Sequence, residues 1–108
     1  MWKVNPKKMC RQHLLGEHVE MHMFAGSIMK GLSLGGYVKT GLVEVKSIQK
    51  RHDDLAKEMT RRGFVHKSPL PKGFLKKYKG PNGDVCSKKN LIELKRRCEE
   101  CRKLFSRK

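Results

Sequence analysis

The densest set of reactive side chains lies between Gln12 and His22, in the stretch QHLLGEHVEMH. His13, Glu17 and Glu20 stand at i, i+4 and i+7, so a helix sets all three along one face. An imidazole beside two carboxylates is a set that can move protons and stabilise a developing positive charge. The plainer alternative is a solvated polar face, the usual fate of charged helix positions. His18 and His22 form a second i, i+4 pair on a neighbouring face. The pair matches a metalloprotease zinc helix in spacing alone. That helix needs Glu directly after its first His, and here Val19 stands there.

Cysteines are the other candidates. Cys98-Glu-Glu-Cys101 has the spacing of half a zinc site or a redox motif. A structural zinc site takes four Cys or His ligands, usually as two separated pairs. Here only one close pair exists, with Cys10 and Cys86 isolated. Redox chemistry of the thioredoxin kind needs a preceding strand, and none is evident. Leu91, Leu94, Cys98, Cys101 and Phe105 also recur at three and four residues, the seam of a packed helix. The expectation is therefore reduced cysteines packed as small hydrophobes, with no metal bound.

Three helical segments must position these groups, separated by loops bearing glycine and proline. The first is expected from about Lys7 to Lys30, with Leu14, Met21, Ala25 and Ile28 as its apolar stripe. Gly16 weakens it by roughly 1 kcal/mol relative to Ala, which suggests that something approaches closely there. Residues 31–46 carry four glycines and read as a loop with extended pieces. The second helix is expected from Ser47, as N-cap, to Gly63, with Ile48, Leu55 and Met59 facing the core. The third is expected to run unbroken from Ser87 to Phe105. The resulting expectation is a mainly α, compact single domain (residues 1–108): a bundle of three helices with long basic loops.

Charge decides what such a bundle meets. The 108 residues carry 26 Lys and Arg against 10 Asp and Glu, a net charge of +16. A field of that sign attracts phosphate backbones and makes binding salt-dependent. The connection 64–83 holds five lysines, with Phe64, Phe74 and Tyr78 among them. Basic residues interleaved with aromatics suit phosphates and exposed bases, although the aromatics serve equally well as core. Near a polyanion a carboxylate repels the ligand unless it has a task, which singles out Glu17 and Glu20. No apolar run is long enough to span a membrane or to form a signal peptide, so action in the cytoplasm is expected, at a nucleoid or in a virus-infected cell.

At these residues the chain resembles the pyrimidine-dimer DNA glycosylases of the phage endonuclease type. The segment Gln12-His13-Leu14-Leu15-Gly16-Glu17-His18-Val19-Glu20-Met21 is similar to that family's first helix. Ile48-Gln49-Lys50-Arg51-His52-Asp53 through Lys57-Glu58-Met59-Thr60-Arg61-Arg62-Gly63-Phe64 is similar to its second. The resemblance implies cleavage of the glycosidic bond at cyclobutane pyrimidine dimers, followed by strand nicking through β-elimination. It implies an α-amine nucleophile, assisted by Glu20, with His13 beside the scissile region. A bulky Trp2 blocks removal of Met1, so Met1 itself is expected to carry the amine. An α-amine titrates at about 7.7–8.0 against about 10.4 for lysine, so far more of it is free at neutral pH. No cofactor is implied. The partner is double-stranded DNA, especially damaged DNA, met by a monomer and not by a membrane-bound protein.

Two departures accompany the resemblance. Val19 and Met23 replace the family's arginines around the glutamate, and the aromatic-rich C-terminal tail is missing. Lys3 stands where the family has a basic residue. Expected phosphate contacts are Lys3, Lys7, Lys8, Arg11, Lys67, Lys72, Lys76, Lys77, Lys88 and Lys89. The competing reading is a non-catalytic basic binding protein, architectural or ribosome-associated, and a further one is a small zinc module built on Cys98 and Cys101.

Overall fold

The computed structural model describes residues 1–66 and 68–107. Their backbone is mainly helical, with no strand among them, as the expected class requires. A 3-10 turn, Pro6–Lys8, precedes α1 (Arg11–Met29) and α2 (Gly35–Lys39). A second 3-10 turn, Val45–Ser47, leads into α3 (Ile48–Arg61), and α4 (Phe74–Lys77), α5 (Ser87–Arg97) and α6 (Glu99–Phe105) follow. Among the described residues six helices therefore stand where three were expected. α1 packs along α3 and against α4, and α6 reaches back to the first 3-10 turn.

The first helix starts later than its periodicity suggests. Asn5 caps the 3-10 turn by accepting from the Lys7 amide at 3.1 Å, and Pro6 suits its first position. Met9 then turns extended and buries its side chain fully. Cys10 becomes the N-cap of α1, its Sγ accepting from the His13 amide at 3.5 Å. The expected stripe of Leu14, Met21, Ala25 and Ile28 is buried, joined by Phe24. Gly16 is different. A Cβ there would meet nothing within 4 Å, so no close approach explains it.

α3 ends much as its sequence implies. Gly63 lies at φ +89 and the Phe64 amide returns to the Met59 carbonyl at 2.9 Å, which closes the helix with a left-handed residue. Its start is a correction. Ser47 makes no side-chain cap, because its hydroxyl donates to Glu44 at 3.0 Å. Residues 31–46 form the expected loop with an extended Glu44, and hold the short helix α2 as well. Val45 and Lys46 pair with Asn82, through bonds of 2.9 and 2.7 Å. Gly83 is needed at that crossing, since a Cβ would sit 2.5 Å from the Val43 carbonyl oxygen. Within 64–83, Phe74 is core at 2% exposure, and Tyr78 spends its hydroxyl on the Pro81 carbonyl.

The third helix is broken where its cysteines begin. Cys98 is extended (φ −126, ψ 110), ending α5 and capping α6 through a 3.4 Å bond from the Cys101 amide to its sulfur. A seam that stayed on one straight helix would have kept both thiols in apolar surroundings; the break turns them toward the start of α1 instead. No helix of the described residues is long and apolar enough to cross a membrane.

Candidate active site

The chain before α1 folds back on itself. Lys3 has φ +57, an unusual value for a residue with a side chain, and it lets the first residues double over the bundle. Its ammonium is bound to both oxygens of Glu44, at 2.9 and 2.8 Å. Asn90 on α5 donates to the carbonyls of Met1 and Trp2, at 3.2 and 2.9 Å. Arg51 on α3 donates to the Val4 carbonyl at 2.7 Å and to Glu17 at 2.8 Å. Glu44, α3 and α5 thus fix four residues of irregular chain.

These bonds put the Met1 α-amine against the carboxylate of Glu20, to which it donates, and 2.9 Å from the Leu42 carbonyl. The Met1 side chain is fully buried, whereas Glu20 is 37% exposed. One side of the pair is therefore anchored and the other faces solvent. Val19 and Met23, adjacent to Glu20 in the helix, are exposed.

His13, Glu17 and Glu20 do share a face of α1, but each meets a different partner along it. Seven residues of helix span about 10 Å, too far for the three to act on one atom. Glu17 is buried in the Arg51 ion pair and holds the scaffold. His13 turns Nδ1 toward Cys10, at 3.1 Å, and Cys101, at 3.7 Å, with Trp2 edge-on at 5.8 Å. Its Nδ1 thus faces sulfur, while its ring lies against the residue that follows Met1.

Most of the expected phosphate-binding side chains are free to serve. Lys7, Arg11, Lys72, Lys76, Lys77, Lys88 and Lys89 are exposed and Lys8 is half-buried. Arg11 lies over the Phe64 ring at 5.3 Å. Lys3 differs, its charge being taken by Glu44, and Lys67 lies outside the described residues. Arg62, which had no assigned part, ties α3 to the N-terminal turn through Glu58 and the Met9 carbonyl.

Two groups of potential metal ligands come together: Cys10, His13, Cys98 and Cys101, and His18, His22, His52 and His66. The histidine group is largely satisfied by its own bonds. His18 and His66 meet Nε2 to Nε2 at 2.7 Å, and His52 bonds Asp53 and the Ser68 carbonyl, while His22 Nε2 has no partner. Burial, then the neighbouring imidazoles of His22, His52 and His66, push His18 from 6.5 down to about 4. His22 is lowered by burial and then by His52 and His66. The folded state thus binds fewer protons than the unfolded one between about pH 6.5 and 4, so stability rises with pH across that window. Urea midpoints should be highest above about pH 6.5 and fall as the pH approaches 5. The Glu58 carboxyl, held below the ordinary carboxylate range by hydrogen bonds from Arg61 and Arg62 against the opposing effect of burial, matters only at more acid pH. A midpoint that stays flat between about pH 7 and 5 would contradict this assignment.

The comparison with known proteins follows the same geometry. A family model for pyrimidine dimer DNA glycosylase matches residues 1–72, from the folded-back amine through α1 and α3. The chain belongs to this family. No curated protein and no solved structure gives a significant match. As a member of the pyrimidine dimer DNA glycosylases, it is a protein of damaged DNA. The match ends before α4, so α5 and α6, which supply Asn90 and the cysteine pair, lie outside it.

Proposed function

We infer that this chain, as a monomer, excises cyclobutane pyrimidine dimers from duplex DNA and then nicks the strand as an abasic-site lyase, with Met1 as nucleophile. The observation that carries the reading is the Met1 amine, folded back and held between Glu20 and the Leu42 carbonyl.

The chemistry follows from what each group offers. Glu20 takes a proton from the Met1 ammonium, which frees the nitrogen lone pair to attack C1′ of the damaged nucleotide's sugar. The glycosidic bond breaks, and the base leaves with its electron pair and takes up the proton that Glu20 had accepted, which restores the carboxylate. Opening of the sugar ring gives a cationic imine between Met1 and C1′, stabilised by the Glu20 carboxylate beside it. The imine acidifies C2′; loss of a proton there expels the 3′ phosphate, and water then releases the amine. Exposing the sugar requires kinking the duplex or flipping a nucleotide, at a cost of a few kcal/mol. Phosphate contacts from Lys7, Lys8, Arg11, Lys72, Lys76, Lys77, Lys88 and Lys89 offset that cost. Binding should therefore weaken steeply with salt.

Borohydride trapping tests the reading. Incubation with dimer-containing or abasic duplex should give a covalent adduct whose peptide maps to Met1. The adduct should disappear when residues are added ahead of Met1. A protein with its native amine that binds damaged DNA and never traps would be a binding module, not a lyase.

A further inference from the structure

We propose that Cys10, His13, Cys98 and Cys101 bind one zinc ion that fastens the C-terminal helices to the start of α1. The ligand atoms all lie within 4.8 Å of one another. Zn–S bonds of about 2.3 Å and Zn–N bonds of about 2.0–2.1 Å place tetrahedral ligands about 3.6–3.8 Å apart. Cys10 Sγ and Cys98 Sγ are separated by 3.8 Å, and Cys101 Sγ and His13 Nδ1 by 3.7 Å. Cys10 Sγ and His13 Nδ1 are closer, at 3.1 Å.

Backbone amides converge on the sulfurs, while burial pushes the Cys101 thiol up to about 12, so the ion itself must displace that proton. Sulfur accepts from three backbone amides: Cys10 N to Cys101 at 3.2 Å, Cys101 N to Cys98 at 3.4 Å and His13 N to Cys10 at 3.5 Å. Such donors orient and stabilise charged sulfur in metal sites. Three thiols and an imidazole nitrogen facing one another are not an apolar core. The four cysteines are free thiols. Soft sulfur with one nitrogen selects zinc. Four protein ligands leave no open position, so the ion is structural and takes no part in the glycosylase chemistry.

The spacing is that of two separated pairs, Cys10-x-x-His13 and Cys98-x-x-Cys101. One pair lies within the family match and the other beyond it. Binding converts three thiols to thiolates, releasing three protons, and closes a long loop whose chain entropy would otherwise favour opening. His13 carries Trp2 on its ring, so the ion also braces the segment that holds the Met1 amine. The histidine group is the weaker candidate because its nitrogens are largely paired with one another and with protein oxygen.

Untagged protein should be purified and its metal content measured, and cobalt should be added to metal-free protein. Expected are about one zinc per chain and, with cobalt, thiolate-to-metal charge-transfer bands together with the intense visible bands of a tetrahedral site. Cys98→Ser combined with Cys101→Ser should abolish both, whereas His18→Gln combined with His66→Gln should change neither. If the cysteine variant fails to fold, the cobalt spectrum of the unaltered protein decides alone. A protein that takes up neither metal, or a cobalt spectrum without thiolate bands, overturns the proposal. The glycosylase reading is tested separately. Metal-free protein with no cobalt site that still traps on DNA overturns only the zinc, and zinc-bound protein that never traps overturns only the lyase.

Discussion

Glu20→Gln is expected to leave DNA binding intact and to slow turnover by about 10²–10⁴-fold, the usual range for loss of a positioned acid–base group. Gln is nearly isosteric and its amide oxygen can still accept a bond from the Met1 ammonium. It cannot take a proton away, and it brings no negative charge to the imine. The loss should therefore appear in single-turnover chemistry on dimer-containing duplex, not in the dissociation constant. Affinity should rise slightly, because a carboxylate facing the phosphates has been neutralised. Glu17→Gln is the informative partner. Glu17 lies in the same helix and is buried against Arg51, so that variant should lose stability first and activity only in proportion to unfolding. If Glu20→Gln keeps its rate within about threefold, the carboxylate is a tether for the terminus and not part of the reaction.

Much of this arrangement is legible in local sequence, because helices declare themselves through periodicity. Leu14, Met21, Ala25 and Ile28, and likewise Ile48, Leu55 and Met59, lie buried as their spacing implies. Glu20 stands apart as an acid in a chain where acids are few. Less visible are the effects of residues distant in sequence. Nothing around Cys98 breaks the seam from Leu91 to Phe105; the helix ends there because the thiols turn to meet Cys10 and His13. The second pair, Cys10-x-x-His13, is legible in the sequence only when histidine is counted as a ligand together with cysteine. A shared helix face puts His13 and Glu20 in line, yet it does not decide partners two turns apart, and the sulfur contacts of His13 come from residues distant in sequence. Asn90 and Arg51 give no local signal at all. Each acts on backbone carbonyls of the first four residues, which only the folded chain brings near.

Arg51→Ala should be the most damaging single change to the fold, costing about 3–5 kcal/mol. The guanidinium is 7% exposed, and its contacts reach Glu17, the Val4 carbonyl and Met9 Sδ. Removing it leaves the Glu17 carboxylate buried without a countercharge and the Val4 carbonyl without a donor. A loss of that size lowers the thermal midpoint by more than about 10 °C in a chain this small. Two comparisons separate charge from packing. Arg51→Lys keeps the charge but cannot fork between Glu17 and Val4, so it should fall between the native protein and Arg51→Ala. Arg51→Met combined with Glu17→Leu removes both charges and should be more stable than Arg51→Ala, since the orphaned charge is what costs most. The combined variant still frees Val4, three residues from the nucleophile. It should therefore remain slow in borohydride trapping even where its thermal midpoint has recovered. Recovery of both together would mean that the Val4 bond does not position the amine.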